Sequence, residues 1–305
     1  MSPDRQKVTV KVDGRVLVLS NLDKVLYPRT GFTKGQVIDY YMRVAPVLLP
    51  HIASRPLTLK RYPNGVEGGY FYEKNAPSHR PDWVPTQRIA SPGSTKPRES
   101  VQYVVAGDLP TLIWAANLAD LEIHTPMWRL PRIGEPDLLV FDLDPGAPAT
   151  IVDCCHVALL LRPLLEQVGL EPVAKTSGGK GMQMYAALSG MTSPQASDLA
   201  RALAGQLEQD RPRLVVSRMA KALRPGKVLI DWSQNNAAKT TVAPYSLRAR
   251  DRPTVSTPLT WDEVAACQEP EDLVFTSDAV LDRVDRHGDL FAPLLATTDG
   301  SSREA

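Results

Sequence analysis

The chain has 305 residues, 43% of them hydrophobic, which is enough to bury a substantial core in one large domain or two small ones. The chain has 35 Lys and Arg residues and 34 Asp and Glu residues, so its net charge does not indicate a polyanionic partner. A phosphate-binding surface would have to be a local basic patch. The three cysteines, Cys154, Cys155 and Cys267, have neither zinc-site nor disulfide-framework spacing, which favours a reducing cytoplasm. No apolar run approaches about 18 residues, so neither secretion nor a membrane partner is predicted.

The first third of the chain is predicted to open with β structure. Residues 8–12 and 15–19 alternate around Asp13-Gly14, which is typical of a hairpin within residues 1–20. Thr33 is expected to cap a helix that ends near Pro50, and short strands follow at 57–61 and 70–73. Residues 76–100 are rich in Pro, Ser and Arg without periodicity, so a long surface loop is predicted there.

The rest of the chain alternates helices and strands. Helices are predicted at 110–118, 151–168 and 194–207, with a kink or break at Pro163, and two short helices within 260–287. Strands are predicted at 122–124, 138–143, 173–176, 182–187 and 228–231. The order indicates one α/β domain over residues 1–296 with a central mixed sheet, followed by a disordered tail at 297–305.

Three carboxylates follow apolar strands. Asp142 and Asp144 lie at the end of the run that begins at Leu138, and the period of a strand places both on one face. Two such oxygen donors suit a hard divalent cation, which relieves their mutual repulsion. Asp231 ends a second apolar run, and three converging acids can hold two cations for phosphoryl transfer. A strand end with solvated acids explains the DxD motif on its own equally well.

A glycine-rich segment and scattered cations are candidates for phosphate binding. In Thr176-Ser-Gly-Gly-Lys-Gly181 the glycines let backbone amides approach a ligand, while Ser177 and Lys180 supply a donor and a charge. The segment does not fit a Walker A motif, and a tight strand-to-strand turn explains it as well. Taken singly, the basic residues near these motifs are expected to be solvated surface residues: Lys60, Arg61, Arg224, Lys227, Lys239, Arg248 and Arg250.

Two further features have competing interpretations. His124 follows Leu121-Glu-Ile, an apolar context that favours a satisfied core or supporting histidine. Phe71 and Tyr72 could stack on exposed bases, although aromatic pairs more often belong to the core.

In order along the chain, these motifs resemble the polymerase domain of the bacterial ligase D family, a branch of the archaeo-eukaryotic primase superfamily that serves non-homologous end joining. The resemblance covers roughly residues 18–295. The motifs that carry it are Asn21-Leu-Asp-Lys24-Val-Leu-Tyr-Pro28, Arg55-Pro-Leu-Thr-Leu-Lys60-Arg61, Phe71-Tyr-Glu-Lys74, Leu121-Glu-Ile-His124, Phe141-Asp-Leu-Asp-Pro145, Thr176-Ser-Gly-Gly-Lys180-Gly181, Asp231-Trp-Ser-Gln-Asn235 and Pro244-Tyr-Ser-Leu-Arg248.

The resemblance implies a primase-polymerase fold and a nucleotidyltransferase that extends DNA 3' ends at gaps or breaks, with ribonucleotides preferred. Asp142, Asp144 and Asp231 would hold two metal ions, Mn²⁺ or Mg²⁺. The pocket for the incoming nucleoside triphosphate would be lined by Lys60, Arg61, His124, Ser177, Lys180, Arg224, Gln234 and Arg248. Lys24 and Lys34, with Asn21 beside them, would grip the downstream 5'-phosphate, and Phe71 and Tyr72 would stack on template bases.

The resemblance also sets expectations about partners and about one departure. The ligase and phosphoesterase of multidomain members do not fit within 305 residues, so a polymerase that acts on its own is predicted, with end-joining proteins as partners. The family usually has His where this chain has Gln183, which we expect to donate a neutral hydrogen bond to phosphate.

Two other functions stay open at this point. One is a haloacid-dehalogenase-like phosphatase, in which Asp142 would be the nucleophile and Asp144 the acid, although Pro145 and Gly146 replace its usual Gly and Thr. The other is a non-catalytic DNA-end-binding module, which would bind DNA without incorporating nucleotides.

Overall fold

The computed structural model describes residues 7–90 and 100–295, and within them the chain forms six α-helices and 18 short strands. The helices are α1 (Lys34–Ile52), α2 (Leu109–Asn117), α3 (Ile151–Gln167), α4 (Ser193–Asp210), α5 (Trp261–Ala266) and α6 (Ser277–His287), with 3₁₀ turns at Lys221–Leu223, Trp232–Asn235, Pro270–Leu273 and Ala292–Leu294.

The strands form two six-stranded sheets and three short two-stranded ones. They are β1 (Lys7–Val12), β2 (Arg15–Ser20), β3 (Val25–Tyr27), β4 (Phe32–Thr33), β5 (Pro56–Arg61), β6 (Phe71–Glu73), β7 (Thr86–Ala90), β8 (Ser100–Val105), β9 (Asp120–Thr125), β10 (Leu138–Pro145), β11 (Pro172–Thr176), β12 (Met182–Ala187), β13 (Val215–Val216), β14 (Val228–Asp231), β15 (Thr241–Val242), β16 (Leu247–Ala249), β17 (Pro253–Val255) and β18 (Pro258–Leu259).

The first sheet has the order β15-β9-β5-β8-β7, with β6 added on β5. Helices α1, α2 and α6 pack together on its side of the molecule and share a core with it. Helix α1 begins at Lys34 because Thr33 accepts a hydrogen bond from the Gln36 backbone amide, and the Gln36 side chain accepts one from Thr33, which completes a capping box. The predicted N-cap is therefore confirmed.

The second sheet has the order β13-β14-β10-β12-β11-β18 and is antiparallel except for β13 and β14. Strand β10 is central, hydrogen-bonded to β14 on one side and β12 on the other. Its apolar side chains Leu139, Phe141 and Leu143 enter a core shared with α3 and α4. Its alternate face begins with Leu138 and Val140, which pack in the first core, and continues with Asp142 and Asp144. The sheet therefore lies between two cores, and its acids emerge where the first core ends.

The structure corrects several predicted elements. Helix α1 continues past Pro50 to Ile52, and α3 runs through Pro163 to Gln167. Each proline removes one backbone donor, but the apolar faces around it stay buried, as at Leu161 and Leu165 in α3. The predicted single central sheet is two large sheets, of which the second is mixed.

The predicted surface loop at residues 76–100 is wrong over residues 86–90, which form β7 in register with β8. Only Ile89 is buried in that strand, so its sequence lacks the apolar alternation that would have revealed it. Residues 91–99 and the predicted tail at 297–305 lie outside the described residues. Across the part of the chain that is described, no helix combines the length and apolar character needed to cross a bilayer.

Candidate active site

An open cleft of about 280 Å³ brings together many of the residues that the sequence singled out. Seven predicted site residues line it: His124, Asp142, Asp144, Ser177, Lys180, Gln234 and Arg248. Three more lining residues had been singled out less directly: Gly181 in the glycine-rich segment, Gln183 as the departure from the family, and Arg250 among the basic residues. The sequence motifs had not pointed to Thr240, Thr241 and Val242.

The register of the second sheet determines the relative positions of the three carboxylates. Asp142 on β10 lies directly opposite Asp231 on β14. Burial, then the charge of Asp144, and also that of Asp231, raise the pKa of Asp142 to about 7. Burial and Asp231 also raise the pKa of Asp144, whereas the positive charge of Arg224 lowers it. The cluster therefore concentrates more negative charge than its surroundings neutralise.

Asp231 has hydrogen bonds of its own at the start of the following 3₁₀ turn. One carboxylate oxygen accepts from the Ser233 backbone amide at 2.9 Å, and the other accepts from Gln234 Nε2 at 2.9 Å. The Ser233 hydroxyl donates to the same carboxylate and accepts from Lys239 Nζ.

The donor set fits divalent cations, because it consists of carboxylate oxygens whose mutual repulsion is unrelieved. Within residues 7–90 and 100–295, however, no group of three or more His, Cys, Asp or Glu side chains is already arranged around a common metal position. Asp142 and Asp144 face the cleft, whereas Asp231 is held by its neighbours. Asp231 can be a third ligand without losing these bonds, because the oxygen that accepts from Gln234 has a second lone pair.

Glu122 connects three of the predicted triphosphate-binding residues. Its side chain is only 2% exposed, and its carboxylate contacts Lys60 Nζ at 3.3 Å, His124 Nε2 at 3.1 Å and Arg248 Nε at 3.4 Å. Burial raises the pKa of Glu122, but the hydrogen bond with His124 and the charges of Arg248 and Lys60 outweigh this effect and hold the pKa well below its usual range. Burial lowers the pKa of His124, although Glu122 opposes this effect. Glu122 was not predicted as a site residue, because its role arises from contacts between distant segments.

The glycine-rich segment is a tight turn between β11 and β12 that also lines the cleft. The Ser177 hydroxyl accepts hydrogen bonds from the Gly179 and Gly181 amides, each at 3.3 Å, and Arg248 donates to the Ser177 carbonyl. Gly178 has a φ of 66°, and a Cβ there would lie 2.5 Å from Arg248 Cγ. Both sequence-based interpretations of this segment therefore fit, because the turn is tight and faces the cleft.

Some predicted nucleotide-binding residues do not line the cleft. Lys60 is bound to Glu122, and its Nζ lies 4.3 Å from the centre of the Tyr70 ring. Arg61 donates to Glu73 at 2.7 Å and to the Leu118 carbonyl at 2.9 Å. Arg224 donates to the Met219 carbonyl, although its charge reaches Asp144.

The predicted DNA-contacting residues lie in two places. On β6, Phe71 and Tyr72 are 44% and 54% exposed, so their rings are available for stacking. Asn21 has a φ of 54° in the turn before Lys24, whose Nζ donates to the Pro63 carbonyl. The buried Lys34 Nζ donates to the Ser20 carbonyl at 2.6 Å. Burial, followed by the charges of Lys24 and Arg61, lowers the pKa of Lys34 to about 8, so the three cations are close enough to repel each other.

Residues 33–291 match the family model of the LigD primase-polymerase domain. The chain belongs to this family. It is 48% identical over 279 residues to the multifunctional non-homologous end joining protein LigD of Mycolicibacterium smegmatis, covering 90% of this chain and 36% of that protein. It is 31% identical over 274 residues to the bifunctional LigD of Bacillus subtilis, covering 89% of this chain and 43% of that protein. The chain thus spans less than half the length of these LigD relatives.

The structural comparison agrees with this assignment. The polymerase domain from Mycobacterium tuberculosis Ligase D in complex with DNA superposes with a TM-score of 0.85 at 43% identity, over 92% of this chain and 98% of that one. The predicted primase-polymerase fold and the predicted class of enzyme, a nucleotidyltransferase of the primase-polymerase type, are therefore confirmed. The haloacid-dehalogenase-like and non-catalytic alternatives are not favoured.

Proposed function

We propose that this protein is a template-directed polymerase that adds nucleotides, with ribonucleotides preferred, to DNA 3' ends at gaps or breaks during non-homologous end joining. The observation that carries the proposal is the cleft itself, in which two acids of β10 face Ser177, Lys180 and Arg248. Acids opposite phosphate-binding groups are what transfer of a nucleotidyl group from a triphosphate requires. The end-joining role rests on the similarity to LigD proteins of non-homologous end joining.

In this proposal Asp142, Asp144 and Asp231 would hold two divalent cations, Mn²⁺ or Mg²⁺. The chemistry supplied by such ions would be activation of the attacking hydroxyl and stabilisation of the leaving pyrophosphate. Ser177, Lys180, Arg224, Gln234 and Arg248 bind the triphosphate, while Lys60, Arg61 and His124 complete the nucleotide pocket.

The DNA partner is a gapped or broken duplex with a 5'-phosphate. Lys24 and Lys34, with Asn21 beside them, bind that phosphate. Burial, and then repulsion from Lys24 and Arg61, lowers the pKa of Lys34, and an anion there would offset this repulsion. Phe71 and Tyr72 stack on template bases. End-joining proteins are the expected protein partners, and the cytoplasm is the expected location.

The test is extension of a labelled primer on a gapped template, with Mn²⁺ or Mg²⁺ and with ribonucleotides or deoxynucleotides. The Asp142→Ala protein is expected to lose extension while DNA binding is retained. Asp198→Ala, at an exposed carboxylate on α4, is the matched control and is expected to extend normally. Extension that survives Asp142→Ala would refute the assignment of the acids. A wild-type protein that binds DNA but never extends it would instead favour the non-catalytic DNA-end-binding module.

A further inference from the structure

Lys175 is a fully buried lysine on β11, next to the candidate active site but outside its lining. It is 0% exposed, and its Nζ donates to Gln183 Oε1 and to Ser256 Oγ, each at 2.6 Å. Its hydrogen-bond partners are thus an amide and a hydroxyl rather than a carboxylate. Burying an amino group in this way is costly, and an apolar side chain of similar length would fill the space at lower cost. The position therefore calls for a role other than packing.

Gln183 lies between this lysine and the acids. In the second sheet, Lys175 is directly opposite Gln183, and Gln183 is directly opposite Asp142, so the three residues form one row across β11, β12 and β10. Gln183 Nε2 donates to Asp142 Oδ1 at 3.0 Å. The side chain is 4% exposed. The hydrogen bond to phosphate that the sequence led us to expect stays a prediction, because Gln183 also lines the cleft and its NH₂ group has a second N–H.

The orientation of the Gln183 amide is set by its neighbours. Its oxygen accepts from Lys175 and also from the Tyr185 hydroxyl at 3.1 Å. Because both Lys175 and Tyr185 donate to the amide, the atom that faces them must be the oxygen, and the NH₂ group must therefore face Asp142. The arrangement holds whether the lysine is charged or neutral, because both forms have the two N–H groups that these bonds use.

We propose that Lys175 is a positioning residue that acts through Gln183 to hold one oxygen of Asp142 in place, so that the other is presented to a metal ion. The inference rests on the proposed function for the role of Asp142 as a metal ligand. Neighbours that hydrogen-bond to metal ligands commonly change metal affinity by ~10-fold to ~100-fold when they are removed.

The test measures Mn²⁺ binding in the absence of DNA and nucleotide, from the electron paramagnetic resonance signal of free Mn²⁺. Lys175→Met and Gln183→Met are each expected to weaken binding by ~10-fold. If the lysine acts through the glutamine, the double variant is no weaker than Gln183→Met alone. Unchanged affinity in Gln183→Met, or a double variant in which the two losses add, would overturn the proposal.

A purely structural role is distinguished by two further measurements. In urea unfolding, Lys175→Met is expected to be at least as stable as the wild type, because a buried amino group is replaced by an apolar one. In primer extension, a high Mn²⁺ concentration is expected to restore its rate, which a loss of folded protein would not allow. If Lys175→Met does not fold, Lys175→Gln, whose side chain is one bond shorter, is expected to show the same weakened Mn²⁺ binding.

Failure of the proposed function would look different. Suppose that Mn²⁺ binding depends on Asp142 and is weakened in Lys175→Met, but that the wild-type protein never extends a primer. That result would exclude the polymerase function and leave this inference intact. Mn²⁺ binding that is unaffected by Asp142→Ala would overturn the inference itself.

Discussion

Replacing Glu122 by glutamine tests whether this buried carboxylate organises the nucleotide pocket. One of its oxygens accepts from Lys60, Tyr62 and the Ala249 amide, and the other contacts His124 and Arg248. Glutamine has the same size but a single acceptor oxygen, so its NH₂ group would face groups that are themselves donors. Glu122→Gln therefore removes a charge and half of the acceptor positions without leaving a cavity.

The expected effects follow from burial of the carboxylate. Breaking a buried ion pair by removing one partner costs about 3–5 kcal/mol, and we expect a decrease in the free energy of unfolding of about 3 kcal/mol because glutamine keeps some of the bonds. Lys60 and Arg248 would lose their common anchor, so KM for the nucleoside triphosphate is expected to rise about tenfold, which corresponds to about 1.4 kcal/mol.

Urea unfolding and steady-state primer extension measure the two effects separately. Glu166→Gln is the control, because Glu166 pairs with Arg162 on the exposed surface of α3, where such pairs contribute about 0–1 kcal/mol. A KM that falls in Glu122→Gln would refute the reasoning. It would mean that the carboxylate mainly repels the triphosphate and that its removal makes the pocket more attractive.

Three further outcomes are expected. The buried Arg55 guanidinium makes two hydrogen bonds to Asp137. Asp137→Ala would leave this charge without its anion, so the free energy of unfolding measured in urea should fall by about 3–5 kcal/mol. The preference for 5'-phosphorylated gaps should weaken as the pH rises above about 8, because Lys34 loses its charge there in the free protein. Gel-shift titrations at pH 7 and pH 9 measure this preference. The Lys34→Met protein should show no such pH dependence. Tyr72→Ala should weaken binding of single-stranded template by about 1–3 kcal/mol in fluorescence titrations, without changing the unfolding midpoint.

Much of the second sheet could be predicted from local pattern. The strands Met182–Ala187 and Val228–Asp231 have the predicted bounds, because each is a short, largely apolar run that is paired on both sides and buried. Strand β10 was predicted to end at residue 143 but continues to Pro145, since its last residues pair with β14 despite their polarity. Strand β7 was missed for a related reason, because pairing with β8 rather than apolar content defines it.

Site residues could be predicted from the sequence only where they belong to a motif of consecutive residues. Asp142, Asp144 and the glycine-rich turn are local motifs, and they do line one cleft. Lys175 and Glu122 act through partners on other strands or far along the chain, so nothing in their own segments specifies those contacts. A polar residue within a largely apolar strand was the available signal for Lys175 and Gln183. It was not available for Glu122, because Asp120, His124 and Thr125 of the same strand are also polar.

The alternation along β10 links the accuracy of folding to the chemistry of the cleft. Leu139, Phe141 and Leu143 enter one core, while Asp142 and Asp144 point the other way. A slip of one residue against β14 would move those apolar side chains out of their core and the acids into it, at a large cost in free energy. Misregistered molecules would therefore be unstable as well as inactive, so quality control that recognises exposed apolar surface would also remove molecules with misplaced acids.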